Sequence, residues 1–358
     1  MQRNETRKGR PGAALACAVL TLALGTGGEP ARGVESTEGE RRAFDPARPA
    51  IAEFIAAEVA RDGFSRAELT ALLASARPRP ELTGAMAHPL EKTLAWWQYR
   101  ARFVTAGRIA AGIRFWQTHR ALLDQTTREP GIQPEYLVAI LGMETNYGEA
   151  TGSYRELDTL MTLAFDYPPR ARQYRSELRD FLLLTRDAGL DPDTTHGSYA
   201  GALGAPQFMP SSYRRYAVGA GATARVDLWN DWASIFASTA RFLGAHGWQK
   251  DGPVLADAEI ARGSHPAVSG RLVPNDTIAG LSAKGVRVAG NLPAATPAVL
   301  VAAVLQDRIS YRAGFRNLHV IGSYNPSINY ALAVCDLAHE LRQGIDREPA
   351  EAPPDGRP

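Results

Sequence analysis

The chain has 358 residues, 45% of them hydrophobic and 22% charged, a composition that supports a sizeable core and excludes a disordered or fibrous protein. Its formal charge of +2 comes from the N-terminus, where Arg3, Arg7, Lys8 and Arg10 stand against Glu5; without residues 1–28 the remainder carries about −1 (+2 less +3). A basic footprint for nucleic acid is thereby excluded.

Taken in chain order, the basic N-terminus leads into a small apolar run, Ala13 to Leu24, and then Gly-Thr-Gly-Gly, the pattern of an export signal. The run is too short to span a bilayer. A polar linker follows to Arg48. Ile51, Phe54, Ile55 and Val59 recur at helical spacing, Ser65-Arg-Ala-Glu68 forms a capping box that opens a second helix, and Leu94, Trp97 and Ala101 predict a third. Ile109, Ile113, Trp116 and Leu123 continue the pattern. Tyr174, Leu178, Phe181, Leu182 and Thr185 form another stripe, and Ile235, Phe236, Thr239, Phe242 and Leu243 a further one that stops at Gly247. From Gly252 to Gly322 the apolar stretches shorten, as in Ala298 to Leu305 and Leu318 to Ile321, which predicts strands. Ile328, Leu332, Cys335 and Leu341 mark one returning helix. Cys17 falls in the export signal, so the exported chain is left with the single thiol of Cys335 and no internal disulfide. We expect a soluble exported protein.

Glu144 stands out because it occupies an apolar position. Leu137, Ile140, Leu141 and Glu144 fall at i, i+3, i+4 and i+7 of one helix that Gly148 is expected to end, so the carboxyl sits in the last turn and is desolvated. Desolvation disfavours the charged form, which suits a general acid; an ion-paired core glutamate satisfies the same spacing. The stretch Gly197-Ser-Tyr-Ala-Gly201 through Gln207-Phe-Met-Pro-Ser-Ser-Tyr213 alternates glycines with hydroxyl, amide and aromatic groups. It reads either as a sugar-binding surface or as a tight loop with Phe208 and Met209 plugging a core. Metal and nucleotide signatures are missing, and Ser198 lacks the preceding glycine of a nucleophile elbow, since that place is His196. No cofactor is expected.

Gly142-Met-Glu-Thr-Asn-Tyr-Gly148, Phe165-Asp-Tyr-Pro168, Gly197-Ser-Tyr-Ala-Gly201, Gln207-Phe-Met-Pro-Ser-Ser-Tyr213, Ala245-His-Gly-Trp248 and Tyr324-Asn-Pro-Ser-Ile-Asn-Tyr330 together resemble the lytic murein transglycosylase B family, in the family's order. The resemblance covers roughly residues 50 to 342. It implies a mainly α protein, with a goose-lysozyme-like helical catalytic core, a flanking helical domain and a small β-containing insert. The expected division is 1–28 export signal, 29–48 linker, 49–251 helical domain and core, 252–322 insert, 323–344 returning helix and 345–358 disordered tail.

The resemblance further implies cleavage of the β-1,4 bond between N-acetylmuramic acid and N-acetylglucosamine, leaving 1,6-anhydromuramic ends. Glu144 matches the family's acid and base, while Ser198, Gln207, Tyr324, Asn325 and Tyr330 match groove residues; Phe208 and Met209 are counted with them. Arg170 matches the second of two family arginines, the first being Pro169 here. The family's calcium loop falls on Gly219 to Trp229, which lacks its early carboxylates, so Asp227 alone predicts no metal site. Glu149, Glu156 and Asp158 are expected to be solvated loop residues. Were one of them to reach the groove, hydrolysis would replace transglycosylation; a non-catalytic murein-binding scaffold is the other alternative. The expected partners are peptidoglycan strands and cell-wall synthesis or division machinery, for a periplasmic monomer.

Overall fold

The computed structural model describes residues 43–87, 94–220 and 225–347. The export signal, most of the linker and the tail beyond Arg347 lie outside the described residues. The helices are α1 (Pro49–Asp62), α2 (Arg66–Ala74), α3 (Pro80–Ala87), α4 (Trp96–Phe103), α5 (Ala106–Arg128), α6 (Pro134–Thr145), α7 (Glu156–Phe165), α8 (Ala171–Asp187), α9 (Pro210–Tyr216), α10 (Trp232–Ala245), α11 (Ile278–Ala283), α12 (Arg316–Ile321) and α13 (Ile328–Arg347). Two short strands, β1 (Tyr154–Arg155) and β2 (His196–Gly197), pair antiparallel. The remaining strands are β3 (Leu255–Ile260), β4 (Asp276–Thr277), β5 (Val286–Val288), β6 (Pro297–Val304) and β7 (Ile309–Gly314), and they form one antiparallel sheet in the order β4-β6-β7-β3-β5. The protein is mainly α.

Three cores hold these elements together. The first joins α4, α5, α6, α10 and α13, the second joins α1, α2, α7 and α8, and the third lies between the sheet and α11. Strand β6 shows how sequence period builds the join: Val299, Val301 and Ala303 enter the helical core, while Ala298 and Leu300 face the third core. Such a strand is buried on both faces, which is why it reads as a continuous apolar run.

Several elements depart from their sequence reading. Phe44 is already packed in the second core and its amide donates to the Ala76 carbonyl at 3.1 Å, so ordered chain begins before the end of the expected linker. Helix α13 runs on to Arg347 with Ile345 buried, into the expected tail. Leu318 to Ile321 is helical in α12, since a four-residue apolar run carries no period that separates strand from helix. In α4 the buried stripe is Trp96, Tyr99 and Phe103, and Trp97 is left exposed, because adjacent residues of a helix point about 100° apart.

Candidate active site

Helix α6 is buried on every side from Leu137 to Thr145, not along one stripe. Pro134 at its start costs no hydrogen bond, because the first amides of a helix have no intrahelical partner. Its stop is earlier than Gly148: Asn146 is the left-handed cap, and Tyr147 and Gly148 also hold positive φ, at 63° and 89°. Glu144 therefore lies one residue inside the helix end, only 3% exposed. The Thr145 hydroxyl donates to the Ala205 carbonyl at 2.9 Å and accepts from the Gly148 amide at 3.0 Å, locking the end of α6 to the loop that precedes α9.

From α13, Tyr330 donates its phenolic proton to Oε1 of Glu144 at 2.5 Å. Burial pushes this phenol well above its usual range, and the neighbouring Glu144 charge pushes it further. Tyr324, fully buried with its ring tilted against that of Phe242 at 4.3 Å between centroids, is raised by burial too, and Glu144 again adds to the rise. Both phenols thus stay protonated, with Tyr330 on the carboxyl and Tyr324 within reach of its charge. Asn325 accepts from the Ser327 amide at 3.0 Å, in the turn that leads into α13.

The loop between β2 and α9 carries Ser198 and Gln207. Ser198 Oγ accepts from the amides of Ala200 and Ala202 at 3.3 and 3.0 Å, which folds the Gly197–Gly201 turn around the hydroxyl. Gln207, at φ 52°, donates from Nε2 to the carbonyls of Thr151 and Gly204 at 3.1 and 2.8 Å. Its Oε1 is buried and accepts no hydrogen bond from the described residues. A positive φ at a residue other than glycine stores strain, which is a reason to look for function at that place.

The transglycosylase SLT domain matches residues 46–339. Membrane-bound lytic murein transglycosylase B of Escherichia coli (strain K12) is 34% identical over 302 residues, 82% of each chain. The catenated lytic transglycosylase SltB1 of Pseudomonas aeruginosa superposes with a TM-score of 0.79 at 38% identity, covering 83% of this chain and 98% of that one. The lytic transglycosylase Slt35 of Escherichia coli, in complex with calcium, gives 0.78 at 32%, covering 86% and 97%. The chain belongs to the SLT transglycosylase family. It is a lytic murein transglycosylase, a lyase that cleaves peptidoglycan.

In this transglycosylase, Phe208 and Met209 are core residues. Phe208, 2% exposed, packs near the rings of Tyr216, Phe242 and Tyr324 in the first core, while Met209, 3% exposed, enters the second. The sequence reading counts both with the groove residues; the structure packs their side chains among core neighbours, as the tight-loop reading of this stretch allows. Arg170 is half-buried on the 3-10 turn Pro168–Arg170, which joins α7 to α8.

The three further acids are also re-sorted. Glu149 is exposed and takes a hydrogen bond from the Asn146 amide group. Glu156 and Asp158, expected in solvent, are buried in the first turn of α7, a helix the sequence reading did not find. Asp158 is held by the Arg77 amide at 3.0 Å and by Arg79 and Arg155, each at 3.3 Å. Thr145, which joins α6 to the Ser198 loop, carried no sequence signal beyond its place beside Glu144.

Among the described residues of the loop before Trp229, the one carboxylate is Asp227. Asp227 Oδ1 already accepts from the amides of Trp229 and Asn230 at 2.7 and 3.0 Å, and Oδ2 from the Asn230 side chain at 3.2 Å. Burial alone would raise this carboxyl; the three donors outweigh it and hold it below the usual range. A hard cation needs six or more oxygens, and both of these are engaged. Residues 221–224 of the same loop lie outside the described residues.

Proposed function

We propose that Glu144 alone serves as acid and then base in the cleavage of the β-1,4 bond between N-acetylmuramic acid and N-acetylglucosamine. The observation that supports this reading is the environment of Glu144: a nearly inaccessible carboxyl, fixed through Oε1 by Tyr330, near the end of a helix buried on every side from Leu137 to Thr145. Protonated Glu144 gives its proton to the glycosidic oxygen, the bond from C1 breaks, and the N-acetylglucosamine leaves with a free hydroxyl. The substrate's own acetamido carbonyl stabilises the positive charge at C1. Glu144, now a carboxylate, takes the proton of the muramic C6 hydroxyl as that oxygen bonds to C1, closing the 1,6-anhydro ring. No water is consumed, and the acid is restored.

A positioned intramolecular hydroxyl outcompetes water because its entropy is already lost. Ser198, Gln207 and Asn325 supply that positioning, Tyr324 and Tyr330 orient the acid, and Arg170 meets the substrate at the α7–α8 turn. The paired glycosidase mechanism needs a second carboxylate in the groove. Asp158 is spent on arginines and Glu149 is exposed, which favours the single acid. The substrate partner is the glycan strand. The place of action is the periplasm, where we assign a monomer recruited by cell-wall synthesis or division machinery. No described helix is long and apolar enough to cross a membrane.

Glu144→Gln tests the proposal, since the amide keeps the shape and loses the transferable proton. Turnover of purified sacculi should vanish while the thermal melt and glycan binding persist. Mass spectrometry of the wild-type products should show anhydro ends, lighter by one water than hydrolysed ends. Residual turnover in the variant, or reducing ends from the wild type, would sink the single-acid mechanism.

A further inference from the structure

Glu156 is the one acid of that trio left without a role. It opens α7 fully buried, and its amide donates to the Thr195 carbonyl at 2.9 Å, which sets it beneath the Gly197–Gly201 turn. A Cβ built on Gly197 would stand 2.4 Å from Oε2 of Glu156, and one built on Gly201 would stand 3.1 Å from Oε1. The carboxyl thus fills the space that side chains at both ends of the turn would claim. Gly152 packs against the same turn, since a Cβ there would lie 2.1 Å from the Gly197 carbonyl oxygen and 2.5 Å from the Ser198 nitrogen. With so little slack, the position of Ser198 follows the position of the Glu156 carboxyl.

We propose that Glu156 is a positioning residue of the reaction: its carboxyl group is the floor of the Gly197–Gly201 turn and sets where Ser198 meets the glycan. This rests on the reading of that turn as a wall of the groove. Neither carboxyl oxygen accepts a hydrogen bond from the described residues. A bare charge there would have lost its water without compensation, so the neutral acid is the form that fits. Burial raises this group well above the usual carboxylate range, and the Glu177 charge on α8 raises it further.

The other charged groups around α7 do not relieve it. Glu177 takes the amide and hydroxyl of Ser211, at 2.9 and 2.8 Å. Arg79 and Arg155 are drawn to Asp158 on α7 itself, and Arg155 also to Asp193. His196, at the edge of the turn, is exposed and keeps Nδ1 on the Thr194 carbonyl. Sealed behind the turn, Glu156 acts through Ser198 and not on the sugar. Raising the pH ionises it, and the turn must then open or admit water to solvate the charge.

The test is KM and kcat as functions of pH on soluble glycan fragments, for wild type, Glu156→Gln and Glu156→Ala, with a melt at each pH. For the wild type, KM should rise several-fold as the pH climbs into the alkaline range. Glu156→Gln, which has the same shape and cannot ionise, should hold its KM level and still release anhydro ends. Glu156→Ala should raise KM about tenfold at every pH with a smaller change in kcat; should it fail to fold, the comparison of wild type with Glu156→Gln still decides. Coincident KM profiles for those two would overturn the proposal, as would a loss of kcat at unchanged KM in Glu156→Gln, the mark of a chemical role. A failed groove reading appears separately, as an unaltered KM in Ser198→Ala.

Discussion

Tyr330 reaches Glu144 from a helix 186 residues later in the chain, and its hydroxyl fixes one oxygen of the carboxyl. A phenol donating to a carboxylate is worth about 1.5–3 kcal/mol. In the proposed mechanism it strengthens as Glu144 gives up its proton, so most of that stabilisation would belong to the transition state. Tyr330→Phe keeps the ring and removes the donor, and kcat should fall about tenfold to a hundredfold, at about 1.4 kcal/mol per decade, with KM little changed. Steady-state release of anhydro-muropeptides measures the loss, and an unaltered kcat would show that the bond is structural only. At the same scale, the trio of acids shows how little a residue's chemistry says without its surroundings. Glu149, Glu156 and Asp158 are all acids within fifteen residues of Glu144 in the sequence, yet one is exposed, one is buried with no hydrogen-bond partner among the described residues and one is buried among arginines.

Helix α6 contains a glycine that propensity alone does not explain. Gly142 in a helix interior costs about 0.5–1 kcal/mol relative to alanine. A Cβ on it would stand 2.7 Å from the Tyr147 ring, and one on Gly112 of α5 would stand 2.2 Å from the Tyr147 hydroxyl. Tyr147 therefore lies in a slot cut by two glycines, where its hydroxyl donates to the Arg108 carbonyl at 3.0 Å. Its left-handed backbone carries the chain away from the end of α6. Gly142→Ala should thus destabilise by about 1–3 kcal/mol, the usual range for overpacking, despite the better helix former. Denaturant midpoints check the sign: a stabilised variant would mean that Tyr147 moves aside freely. Gly142 was legible as part of a motif; its reason was not, because the slot is built by a second helix.

Across the whole molecule, the loop that carries Ser198 and Gln207 runs along the seam between two cores. Ala202 belongs to the second core and Leu203 to the first; Phe208 belongs to the first and Met209 to the second. Anchoring one loop alternately in both cores holds it firmly. The melting temperature of the transglycosylase should therefore be indifferent to calcium. A ligand that binds only the native state at a hundred times its Kd stabilises by about 2.7 kcal/mol, which would be seen as a rise of several degrees. Melts in millimolar calcium and in chelator should coincide, and a calcium-dependent rise would show that Asp227 exchanges its backbone donors for an ion.

The sequence by itself determined most of the helices and the family, and it singled out Glu144 as the candidate acid. Periodic stripes such as Tyr174, Leu178, Phe181 and Leu182 bury as the spacing requires, because one face of a helix must meet a core wherever that core lies. Glu144 was visible as a carboxyl where apolar packing was due, and the separated motifs carried the family. Tertiary structure alone decided which polar groups meet. The spacing could not reveal that Tyr330 touches Glu144, that Thr145 ties α6 to Ala205, or that Glu156 lies under Gly197, since each contact joins segments brought together by packing. It also decided which face of α4 turns inward and that α6 is surrounded. A local pattern records the energy of burial but not the partner against which a side chain is buried.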